Sequence, residues 1–210
     1  MKIFLAFFVL LSLSVSATAQ SIANPNITVG DWWEFKSPKG TVTPLVVSRV
    51  SPDGFSILNK NTHQESTYTP SFNKLSGYYL KNGEPVSYTP HNYNFEFPLH
   101  PGKTWKQRVT SKTSEKELTY TVQANVIAWE EIEISDNGQS KRLQALKIDY
   151  QHGDVASTCW YSPEANNVVR CVSPFPGQTF ETIGFGKILK NGPGKKLFTK
   201  KSRLSGEFKL

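Results

Sequence analysis

The sequence predicts a nearly all-β protein, one domain built as a curved antiparallel sheet or incomplete β-barrel. Three observations predict it. Short β-prone runs alternate with Pro-Asp-Gly, Asn-Gly and Pro/Asn-rich turns, and the stretch from Leu118 repeats apolar residues with period two. No segment longer than about ten residues carries the 3.6-residue period of an amphipathic helix. The 13 Phe, 8 Tyr and 5 Trp supply the large side chains that such a sheet has to bury.

Residues 1–19 read as a secretory signal peptide. Lys2 gives the positive start, Ile3 to Val15 the apolar segment, and Ala17-Thr18-Ala19 the small-residue cleavage site. The apolar run is short for a membrane span and no second one follows, so no transmembrane segment is expected. No cysteine follows the cut to carry a lipid. The expected product begins at Gln20 and is periplasmic or secreted, with 191 residues, enough for one sizeable core.

Within the expected β domain, residues 20–190, the elements follow in order. Gly30 to Phe35 reads as a strand. Leu45 to Val50 and Phe55 to Leu58 flank Ser51-Pro52-Asp53-Gly54, and Tyr78 to Leu80 and Pro85 to Tyr88 flank Lys81-Asn82-Gly83-Glu84, so each set forms a hairpin. Phe95, Phe97 and Leu99 alternate with Glu96 and Pro98 before Pro101-Gly102 breaks the run. Thr104 to Val109 is the next strand. Tyr120, Val122, Ala124 and Val126 then occupy even positions, Ile127 and Trp129 odd ones, and Ile132 and Ile134 even ones again. That slip of parity predicts a bulge or bend. Asp136-Asn137-Gly138 turns the chain into Leu143 to Tyr150, and Phe180 to Ile188 supplies a last strand.

The stretch from Ser157 to Cys171 holds both cysteines of the chain. Thr158 to Tyr161 and Val168 to Val172 flank the turn Ser162 to Asn167; centred on Ala165, this hairpin places Cys159 opposite Cys171 and Tyr161 opposite Val169. Facing cysteines permit a disulfide, worth about 3 kcal/mol for so short a loop, and an oxidising compartment favours it. Two buried free thiols are the alternative. A metal pair is disfavoured, because the spacing lacks a nearby His or second Cys pair.

Chemistry-bearing patterns are sparse. His63, His91, His100 and His152 are separated by turns and read as exposed loop residues. No HExxH, GxSxG or Walker-type loop is present, so no catalytic residue, metal or cofactor is expected. Glu130, Glu131 and Glu133 read as the solvated face of a strand, without a calcium-loop pattern beside them. Trp33, Trp105, Trp129 and Trp160 lie in expected strands as core residues, or as the lining of a cavity for an apolar ligand if the sheet curls.

The formal net charge is +7, yet eight of the lysines and arginines fall in residues 186–210, where Glu207 is the only acid. The basic extension, residues 191–210, carries Lys195, Lys196, Lys200, Lys201 and Arg203 among Leu and Phe. It reads as a solvated, aggregation-resisting end, or as a peripheral contact with an anionic membrane surface. Nucleic acid is the weakest reading for an exported protein.

Taken in order, FPLHPGKTW (Phe97 to Trp105), VIAWEEIEI (Val126 to Ile134), LQALKIDY (Leu143 to Tyr150) and CWYSPEANNVVR (Cys159 to Arg170) resemble a group of exported bacterial β proteins of unknown function. Those pair an FPL…G…W segment with a later W-Y/F-S-P-E hairpin. The resemblance covers about residues 90–172. It implies a curved antiparallel sheet akin to the lipoprotein-carrier half-barrels of the periplasm, and brings no catalytic residues. The chain departs from that pattern in its two cysteines and its basic end. The expected function is a non-enzymatic envelope protein that binds an apolar or amphiphilic ligand, such as lipid, or an envelope partner. Its rivals are a structural or protein-interaction module and a hydrolase with a dispersed active site.

Overall fold

A computed structural model describes residues 20–78, 83–92, 94–136, 138–174 and 178–188. The expected signal peptide, the expected basic extension and the Lys81-Asn82 part of one turn lie outside them. The described residues form strands β1 (Asp31–Lys36), β2 (Val42–Ser51), β3 (Gly54–Asn59), β4 (Glu65–Tyr68), β5 (Lys74–Tyr78) and β6 (Pro85–Asn92). They continue as β7 (Thr104–Lys112), β8 (Glu117–Asp136), β9 (Gln139–His152), β10 (Val155–Ser162), β11 (Asn167–Val172) and β12 (Phe180–Lys187). No helix is present among them, and none is long and apolar enough to cross a membrane.

Every strand pairs antiparallel with its neighbour in sequence, and β1 pairs with both β2 and β12. The expected curved sheet is therefore a closed barrel of twelve strands, without a free edge for another chain to extend. At the closing seam Trp33 lies opposite Phe185. Its indole N–H donates to the Ala165 carbonyl at 2.7 Å, tying β1 to the β10–β11 turn.

The interior is filled with side chains. Trp33, Phe55, Phe72, Phe95, Trp105, Tyr150 and Tyr161 pack there with Val47, Ile57, Val126, Leu146 and Ile148. Segments outside the barrel wall complete it. Leu99, fully buried, exchanges backbone hydrogen bonds of 2.8 Å with Ile22, so the Phe95–Leu99 run makes one isolated bridge inside the barrel instead of a wall strand. Phe72 enters from the β4–β5 turn at φ 61°, a left-handed conformation uncommon for an aromatic residue, and its ring meets those of Trp33, Phe55, Tyr68 and Phe95.

The register of β8 slips once, between Val126 and Ala128, at the expected bulge. The return of apolar residues to even positions at Ile132 and Ile134 is not a second bulge. These residues join Leu143, Ala145, Ala165 and Val169 in a second cluster on the opposite face of the sheet, with Trp160 and Phe185 against it. Successive residues Ala145 and Leu146 are both fully buried, one in each cluster. In a strand such neighbours point to opposite faces, so the distal β8–β9 hairpin is covered by protein on its outer side. It folds over the outside of the wall: Arg170 on β11 donates to the Glu133 carbonyl at 2.6 Å, and Lys141 pairs with Glu164 at 2.6 Å.

Candidate functional site

The overhanging hairpin and the wall beneath it enclose an open groove of about 690 Å³. Ser135 and Gly138 of the β8–β9 tip form one side; Glu34 and Lys36 of β1, Arg170 and Val172 of β11, and Phe180, Glu181 and Ile183 of β12 line the rest. The pairing explains the charges on its floor. Because Trp33 and Phe35 point into the core, Glu34 and Lys36 point out, and Lys36 lies directly across from Glu181, which in turn lies across from Arg170. The row alternates in sign, and Arg170 meets Glu181 at 3.4 Å. Glu34 is half-buried, which raises its carboxyl above the usual range. Val172 is 53% exposed, the most exposed large apolar side chain described, and supplies the apolar part of the groove together with Phe180 and Ile183.

Cys159 and Cys171 face each other as expected and are joined by a disulfide; Cys171 lines the groove. The expected pairing of Tyr161 with Val169 is corrected. The register slips after Trp160, so Tyr161 meets Val168 and Val169 joins the outer cluster. Replacing both cysteines by alanine is expected to cost about 3 kcal/mol, since a short closed loop becomes free in the unfolded chain. Urea unfolding of the oxidised protein and the double variant measures it; equal midpoints would contradict the estimate.

The four tryptophans do not share a cavity. Trp33 and Trp105 are buried in the core, and Trp129 reaches the Gln20 carbonyl at 3.3 Å. Trp160 lies on the outer face, donating to Glu130 at 2.7 Å beside Lys147. That bond, before the nearby Lys147, holds the Glu130 carboxyl below its usual range. Glu131 and Glu133 are exposed, as a solvated face requires. Two histidines keep the loop reading and two depart from it. His63, exposed, and His100, half-buried, lie outside the strands; His91 and His152 sit in β6 and β9, half-buried, and burial lowers both pKa values. Among the described residues no three His, Cys, Asp or Glu side chains converge as a metal site. Lys195, Lys196, Lys200, Lys201 and Arg203 lie outside the described residues.

No protein-family model and no curated protein matches the chain. Among solved structures it is similar to the hypothetical lipoprotein YmcC from Escherichia coli, at 10% identity and a TM-score of 0.50, over 79% of this chain and 92% of that one. A presumed lipoprotein from Parabacteroides distasonis aligns at 14% identity and a TM-score of 0.38, over 80% of this chain and 100% of that one. At such identities the first likeness speaks to the fold.

Proposed function

We propose that the protein is an exported, non-enzymatic envelope protein that binds a zwitterionic amphiphile in the groove beneath the β8–β9 hairpin. One observation carries the reading: the exposed Val172, with the half-buried Phe180 and Ile183 beside it, shares one groove with Glu34, Lys36, Glu181 and Arg170 under a protein overhang. An apolar chain on these apolar side chains and a headgroup of both signs on the charged row would satisfy both parts. The packed aromatic interior counts against a ligand carried inside the barrel and is the reason the proposal looks to the outer wall. The lipoprotein neighbour and the signal-like leader support an envelope location.

Titration with dodecylphosphocholine below its micellar concentration, followed by tryptophan fluorescence, tests the groove. Val172→Asp, an exposed substitution with little to unfold, is expected to weaken binding about tenfold or more, a loss on the order of 1.4 kcal/mol. Unchanged affinity would sink the groove reading. Native mass spectrometry of protein taken from its own envelope identifies the occupant: a co-purified lipid supports the proposal, and a stoichiometric protein in its place supports the interaction-module reading.

A further inference from the structure

Two of the four charges in the groove are already matched and two are open. Arg170 and Glu181 pair with each other at 3.4 Å. Among the described residues Glu34 and Lys36 belong to no ion pair, and the Glu34 carboxylate accepts no hydrogen bond from them. Both side chains line the groove, and both lie on the outer face of β1.

The neighbours of Glu34 explain why it lacks a donor. Its direct partners, Gly184 on β12 and Pro44 on β2, carry no polar side chain. Trp32, two residues back on the same face, leans its indole over its own partner Gly186, where a β-carbon would lie 3.2 Å from the indole nitrogen. That N–H makes no bond to the carboxylate. β12 also bulges here: Glu34 faces Gly184 while Phe35 faces Thr182, so Ile183 is an extra residue without a partner, and it lines the groove with Glu34. A carboxylate set between Ile183 and Pro44 has lost part of its water and gained no donor, which is why burial raises its pKa. On its remaining side lies the open groove of about 690 Å³, so a ligand has both room and access.

The unmet need of Glu34 is for N–H groups. A primary ammonium offers them, and a quaternary ammonium has none. Lys36 follows about 7 Å along the same face, exposed and open to an anion. We propose that the groove selects amphiphiles whose head carries a primary ammonium, seated on Glu34, and a phosphate, held by Lys36. This head preference rests on the amphiphile groove proposed above. A short linker between the two charges lies along β1, and the apolar chain leaves the phosphate toward Phe180 and Val172.

Lauroyl lysophosphatidylethanolamine and lauroyl lysophosphatidylcholine, which differ only in methylation of the head nitrogen, test it. Each is titrated below its micellar concentration into the full chain, followed by tryptophan fluorescence. Wild type is expected to bind the ethanolamine lipid about tenfold tighter, as one hydrogen bond between charged partners allows. Glu34→Gln keeps the shape of the side chain and removes its charge; the preference is expected to fall to about twofold or less. Lys36→Gln is expected to weaken both lipids alike, so the preference persists. Equal affinities in wild type, a preference that survives Glu34→Gln, or affinities unchanged in Lys36→Gln overturn the head assignment and leave the groove standing. Binding of neither lipid, or of both undiminished in Val172→Asp, overturns the groove reading and the head assignment with it.

Discussion

Replacing Trp33 by alanine is expected to lower stability by about 3–5 kcal/mol, the range for truncating a buried tryptophan. Its side chain is 2% exposed, touches Phe72 edge-on at 6.0 Å and lies across from Phe185 on β12. Its N–H also reaches a carbonyl 132 residues away in sequence. Three remote parts of the chain thus meet on one residue at the seam that closes the barrel. Trp33→Phe separates the two contributions: most of the apolar contact survives, while the Ala165 carbonyl loses its donor, at a cost of about 1–3 kcal/mol if it stays dry. Urea unfolding should rank wild type above Phe above Ala. An alanine variant within about 1 kcal/mol of wild type would show that the seam does not depend on this residue.

The hairpins were legible because turn chemistry and period-two alternation are local. Pro52-Asp53-Gly54, the bulge after Val126 and the facing cysteines all follow from neighbours a few residues apart. Closure was not legible, because nothing within β1 says that its partner is β12, about 150 residues on. β4, Glu65–Tyr68, escaped notice: it is four residues long and every one is half-buried, so no alternation marks it. The second core was hidden for a related reason. Adjacent buried residues such as Ala145 and Leu146 look like a lapse of pattern until a second layer covers the outer face. The groove inherits that blindness, since it exists only where this layer overhangs. Its charges are visible in the sequence as ordinary outward positions, and only the pairing of Lys36, Glu181 and Arg170 assembles them into a row.

Asn73→Ala is expected to be the most damaging change at a polar side chain, and it bears on whether the interior can ever hold a ligand. Asn73 is 3% exposed; its amide donates to the Phe95 carbonyl at 2.9 Å and its carbonyl accepts from the Phe95 N–H at 2.8 Å. This one side chain satisfies both backbone groups of a residue that lies inside the barrel and outside the wall ladder. Removing it leaves two buried backbone groups without partners, each at about 1–3 kcal/mol. The Phe95 ring packs on Phe72, Phe97 and Tyr161, so the segment is held by apolar contact on one side and by Asn73 on the other. With the polar hold gone, water must reach those groups or the segment must leave. Either course opens the interior, and an environment-sensitive apolar dye should fluoresce with the variant and not with wild type. A large loss of stability without dye uptake would mean that Phe95 stays in place through its ring contacts alone. In that case the interior is a closed core under all native conditions, and any ligand of this barrel binds at its rim or on its outer wall.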